Sequence, residues 1–177
     1  YDCRFASDRF ARAAAEEMAA AGIPAHLASG YAPTPAVACA IRQHQLAGGI
    51  VITASHNPWA WNGFKFKASF GGSAGPEIIK KVEALLPSVE AADSLRHAQA
   101  GLEEVDLVGP YVAHLEKVIN LDNIARRNFR FVLDPLYGAA RGHFQRLFQK
   151  YRIPSMEIHG ASDPMFGGLN PEPIEPH

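Results

Sequence analysis

Gly49-Ile50-Val51-Ile52-Thr53 is the segment that most narrows the folds open to this chain. It is short, apolar and β-branched with no polar alternation, the pattern of a strand covered on both faces inside a layered α/β sheet. Such a strand needs helices on its flanks, and the sequence offers them. Ser7 is placed to cap a helix running to about Ala21, with Phe10, Ala14 and Met18 on one stripe and Gly22 as its stop. Thr34-Pro35 opens a second helix with Val37, Ala38 and Ile41 facing inward. Phe64-Lys65-Phe66-Lys67 alternates, which puts both phenylalanines on one side of a strand and both lysines on the other. Gly71 to Pro76 breaks the chain before a third helix marked by Ile78, Ile79, Val82, Leu85 and Leu86. Together these predict an α/β domain, a layered α/β/α arrangement around a mixed sheet, over residues 1–100.

Residues 101–177 read as a linker helix and an incomplete second domain. The stretch 87–107 is weakly patterned and rich in alanine and glutamate, a connection; Tyr111, Val112, Leu115, Val118 and Ile119 then mark a helix. A strand Phe129–Leu133, a helix from about Gly138 to Tyr151 and a strand Ser155–His159 follow. One strand–helix–strand repeat is little for a free-standing core, and the chain stops at His177 with no closing element, so a fragment is expected. Lysine plus arginine (17) nearly balances aspartate plus glutamate (18), which leaves no basic face for nucleic acid. No apolar stretch approaches the roughly 20 residues that cross a bilayer. Cys3 and Cys39 have no metal or redox spacing, so reduced thiols in a cytoplasmic protein are expected.

The chemistry concentrates in Thr53-Ala54-Ser55-His56-Asn57-Pro58 and the following Asn62-Gly63-Phe64-Lys65. A buried strand ends at Thr53 and releases Ser55 into a polar turn, at the strand end where ligands of open α/β sheets collect. Nearby amides, Asn57 and the Lys65/Lys67 face suit a phosphate dianion. The same residues also suit a plain turn, because serine, asparagine and proline are all turn formers. A serine hydrolase is a third reading, but the Gly-x-Ser-x-Gly elbow is absent and His56, adjacent in sequence, is poorly placed as a base for Ser55. The run Gly71-Gly72-Ser73-Ala74-Gly75 lacks Walker or Rossmann spacing and reads as a turn.

These two blocks resemble the phosphoserine signature of the α-D-phosphohexomutases, the phosphoglucomutase/phosphomannomutase type. The resemblance extends to Tyr1-Asp2-Cys3-Arg4, Pro33-Thr34-Pro35, Asp134 to Ala139, and Asp163 to Gly168 through Pro173. It implies that Ser55 carries a phosphoryl group, gives it to a hexose phosphate, and recovers phosphate from a bisphosphorylated sugar. It implies Mg²⁺ bound to the phosphoserine and to three aspartates, a tight Asp-x-Asp-x-Asp-Arg loop that this sequence lacks; Asp134 and Asp163 are not that set. Lys65 is implied as acid/base or charge stabiliser, and His56 and Asn57 as supports of loop and phosphate. Lys67 is expected to be a solvated edge lysine, and Arg4 a structural contact beside the helix before it is a substrate ligand. With sugar-reading and phosphate-binding loops missing too, the chain alone is expected to be inactive within an active parent. Ala54 and Lys65-Phe66-Lys67 look more like glucose or mannose phosphate mutases than glucosamine ones. A non-catalytic relative that binds sugar phosphates or a protein remains the alternative.

Overall fold

The computed structural model describes residues 1–86 and 100–172. The first elements are α1 (Ser7–Ala20), β1 (Ala25–Ala28), α2 (Thr34–Gln43), β2 (Gly48–Ile52), β3 (Phe64–Ala68) and α3 (Pro76–Leu85). They are followed by β4 (Leu102–Val105), α4 (Val108–Val118), α5 (Leu121–Arg126), β5 (Phe131–Leu133), α6 (His143–Lys150) and β6 (Ser155–Glu157). β1 and β4 pair in parallel, β2 and β3 antiparallel, and β5 and β6 in parallel. The expected α/β layering with mixed strand directions is present.

Two strands escaped the sequence pattern. β1, Ala25-His26-Leu27-Ala28, is short and half alanine, a composition with little β preference. β4 holds two glutamates between Leu102 and Val105 and lies in the stretch read as a connection; residues 87–99 of that stretch fall outside the described part. β4 joins the ladder of β1, so the first unit's pairing continues past residue 100. In the second unit α5 was not foreseen, and α6 begins at His143 rather than near Gly138.

Helix α1 also differs from its expected face. Ser7 does not cap it: Ala6 holds the cap position with φ 58 and no side-chain bond, while Ser7 is fully buried. Ser7, Ala15 and Ala19 line the inner face and Phe10 points outward, because small side chains let the helix lie close to the strands. None of the apolar residues of α3 is buried among the described residues.

Two cores result. Ala28, Ala32, Val37, Ile41 and Val51 form the first, with Leu107 and Val108 packed against it. Leu121, Leu147 and Ile153 form the second, with Val112 and Phe131 against it. α4 thus places Val108 on one core and Val112 on the other and so links the two units.

Candidate functional site

The β2–β3 ladder ends at the pair Ile52 and Phe64, and everything between is loop. Its base is closed by Thr53 N–H donating to the Gly63 carbonyl at 2.9 Å. Gly63 is required there, since a Cβ would stand 2.8 Å from the Thr53 carbonyl oxygen. Asn62 accepts from Gly63 N–H at 2.9 Å and donates through Nδ2 to Ser7 Oγ at 2.9 Å, which ties the loop to α1. At the other end the Asn57 N–H donates to the Ala54 carbonyl and the Ser55 N–H to Thr53 Oγ1, both at 3.1 Å. Ser55 is exposed in this tight turn and has φ 58, a left-handed conformation uncommon outside glycine. Non-glycine residues held there cluster at functional loops, where surrounding bonds over-determine the strain.

Arg4 is what holds the strain. It is 3% exposed and sits inside the loop. Its Nη2 donates to the carbonyls of Ser55 (2.9 Å) and Asn57 (2.8 Å), and Nη1 to those of Pro58 (2.8 Å) and Trp61 (3.1 Å). Its Nε donates to Asp2 Oδ2 at 3.0 Å. A guanidinium has five N–H donors, and these contacts use all of them, so none is left for a substrate phosphate. Arg4 is therefore a loop support. Asp2 completes the cage by accepting from Arg4 N–H at 3.0 Å and from the Ser7 hydroxyl at 2.9 Å, while its own N–H donates to the Ile52 carbonyl at 3.0 Å. The electrostatic effect is directional. The loop's carbonyl oxygens are turned inward onto a buried cation, which lowers the repulsion an anion would meet at the exposed tip.

Lys65 is exposed on β3, opposite Val51. Lys67, expected to be solvated, is 8% exposed and donates through Nζ to Ser73 Oγ at 3.4 Å. The cause is the Gly71–Gly75 turn, which folds Ser73 back against Lys67 and covers it. His56 is exposed, with Nε2 3.9 Å from Glu172 Oε1, and Asn57 is exposed and serves the loop through its backbone. Asp2, Ser7 and Gly63 were not singled out from the sequence as site residues, although Asn62-Gly63 stood in the recognised block. Burial pushes the Cys3 thiol up to about 11, so it is no nucleophile near neutral pH.

The other expected acids are engaged locally. Asp134 Oδ1 accepts from Leu136 N–H at 2.9 Å and lies 3.0 Å from His159 Nδ1. Asp163 accepts from the N–H groups of Met165 (2.8 Å) and Gly167 (3.0 Å). Among the described residues no group of three or more His, Cys, Asp or Glu is arranged to hold a metal ion. These residues do not make a Mg²⁺ site by themselves; a phosphate on Ser55 would add ligand oxygens but no acidic side chain.

A family model described as phosphoglucomutase/phosphomannomutase α/β/α domain I matches residues 1–93, and the corresponding domain II model matches residues 109–177. The chain belongs to the phosphoglucomutase/phosphomannomutase family. A phosphoglucomutase of Komagataeibacter xylinus is 32% identical over 88% of this chain and 31% of its own length. A phosphoglucosamine mutase of Caldicellulosiruptor saccharolyticus is 30% identical over 92% of this chain and 36% of its own. The crystal structure of a protein assigned as a phosphomannomutase, from Thermus thermophilus, superposes with a TM-score of 0.87 at 34% identity, covering 98% of this chain and 39% of that one. The chain thus spans about a third of the length of the relatives it matches.

Proposed function

We propose that Ser55 is the phosphoryl carrier of a hexose phosphate mutase that interconverts 1-phospho and 6-phospho sugars. The observation that carries this reading is the exposed Ser55 hydroxyl on a strained turn whose carbonyl oxygens are drawn inward by Arg4. A sugar hydroxyl attacks the phosphorus of phosphorylated Ser55, the P–Oγ bond breaks, and the attacking hydroxyl loses its proton as the serine oxygen regains one. The bisphosphorylated sugar then returns its other phosphate to Ser55. Lys65, exposed at the start of β3, offsets charge on the transferred group or handles its proton, and Lys67, buried against Ser73, adds positive charge to the same strand. His56 and Asn57 support loop and phosphate, and Arg4 and Asp2 keep Ser55 presented. Mg²⁺, expected for this family, would offset charge on the phosphate, with its remaining ligands outside the described residues.

The first domain extends through Val105, and the whole enzyme acts in the cytoplasm; no helix among the described residues is long and apolar enough to cross a membrane. These 177 residues alone give no turnover, since they supply the carrier without a metal cluster among the described residues. The named relatives differ in the sugar their names specify, so the sugar rests on the Ala54 and Lys65-Phe66-Lys67 pattern, which favours glucose or mannose phosphate over glucosamine phosphate; glucose phosphate is the substrate proposed. The test is turnover of the full-length enzyme on glucose, mannose and glucosamine 1-phosphates. Glucose 1-phosphate is expected to lead, and Ser55→Ala to abolish turnover. Normal activity in Ser55→Ala would refute the carrier role, and a dominant glucosamine activity would refute the substrate.

A further inference from the structure

Phe166 belongs to the second unit, yet its ring lies against the arginine that holds the Ser55 loop. Arg4 Cζ stands over the Phe166 ring, 5.1 Å from its centroid. All in-plane donors of that guanidinium are taken, so the faces are what it can still offer to a neighbour. Phe166 covers one face at 4% exposure, beside an Arg4 side chain that is 1% exposed. A cation against a ring in a site this dry is held more strongly than at a surface.

The ring is delivered by a rigid turn. Phe166, Gly167 and Gly168 all have positive φ (54, 62 and 77), and Asp163 fixes the turn through Met165 and Gly167 N–H. Gly167 packs against Tyr137, where a Cβ would come within 2.8 Å of the ring, so a side chain there would force the turn away from Tyr137. Six residues beyond Phe166, Glu172 reaches His56 on the exposed side of the same loop. The second unit therefore meets the Ser55 loop both at its buried arginine and at its tip.

We propose that Phe166 is a positioning residue for the Ser55 loop: by fixing the plane of the Arg4 guanidinium, it couples docking of the second unit to the presentation of Ser55. This rests on the Ser55 loop being the working site. Both tryptophans of the chain, Trp59 and Trp61, lie in that loop and report on it directly. The experiment compares Phe166→Leu, which keeps apolar bulk but loses the ring, with Phe166→Tyr, which keeps the ring, and with Phe129→Leu at an aromatic that is 57% exposed elsewhere in the second unit. Amide exchange at Asn57 and Trp61 is expected to rise about tenfold in Phe166→Leu, with lower tryptophan anisotropy, and to stay near wild type in the other two. A folded Phe166→Leu protein with unchanged exchange at those amides would overturn the coupling, as would an equal change in Phe129→Leu. Should Phe166→Leu not fold, Phe166→Met is judged by the same criteria. Exchange is read without sugar phosphate, so a Ser55 that takes no phosphate would sink the carrier reading and leave this coupling to be decided separately.

Discussion

The Ser55 loop and the loops beyond β5 and β6 both project from strand ends, but they dispose of their charges in opposite ways. In the first, the charged pair is withdrawn from the surface: Arg4, buried, and Asp2, half-buried, sit beneath the loop, so the exposed tip is a neutral hydroxyl with the carbonyl oxygens facing away. In the second, Asp134 and Asp163 lie near the surface and are absorbed by their own turns, one beside His159 and one on backbone N–H groups. The contrast teaches that acids at a strand end do not make a site. What marks a site is a loop held from below with its reactive group left unengaged by the clamp.

The largest effect that would break this contrast comes from Arg4→Met. It leaves the Ser55, Asn57, Pro58 and Trp61 carbonyls without their donor and Asp2 without its cation. Unfolding in urea is expected to show a loss of about 2–4 kcal/mol, a large part of the stability of a domain this size. Arg4→Lys should fall between, since one ammonium cannot span the carbonyls that a planar fork reaches. If Arg4→Met melts like wild type, the clamp does not hold the loop. Gly63→Ala is next: its Cβ at 2.8 Å from the Thr53 oxygen must open the base of the loop, at about 1–3 kcal/mol and with faster exchange at Thr53 N–H.

Asp134→Asn sharpens the other half of the comparison. Its side chain and that of His159 are each 35% exposed, so thermal unfolding should move by only about 0–1 kcal/mol and the Ser55 loop should be untouched. The smallest effect is a pH slope. Burial, helped by Arg146, holds His143 below the usual imidazole range. The unfolded chain then takes up a proton at higher pH than the folded one, so stability should fall as pH drops below about 6.5 and level off below the folded value. Urea titrations of His143→Gln should lack that slope.

The sequence disclosed much of this because the two units use its strongest signals differently. β2 was legible as an unbroken apolar run, and the block from Thr53 to Pro58 with Asn62-Gly63 located the loop. β1 and β4 were hidden by alanine and glutamate, since their pairing in parallel comes from tertiary contact rather than from local preference. Arg4 was visible as a residue but not as a clamp, because the four loop acceptors of its guanidinium lie more than fifty positions away and are backbone carbonyls that no side-chain motif encodes. Lys67 read as solvated for the same reason: the turn that covers it is irregular backbone.

The most direct test of a clamped, displayed carrier is the mass of the peptide containing Ser55 after the full-length enzyme is treated with a hexose 1,6-bisphosphate. A phosphate-sized increase is expected on Ser55 in wild type, reduced in Arg4→Met and absent in Ser55→Ala. An unmodified Ser55 in wild type, or phosphate on another residue of the loop, would contradict the account.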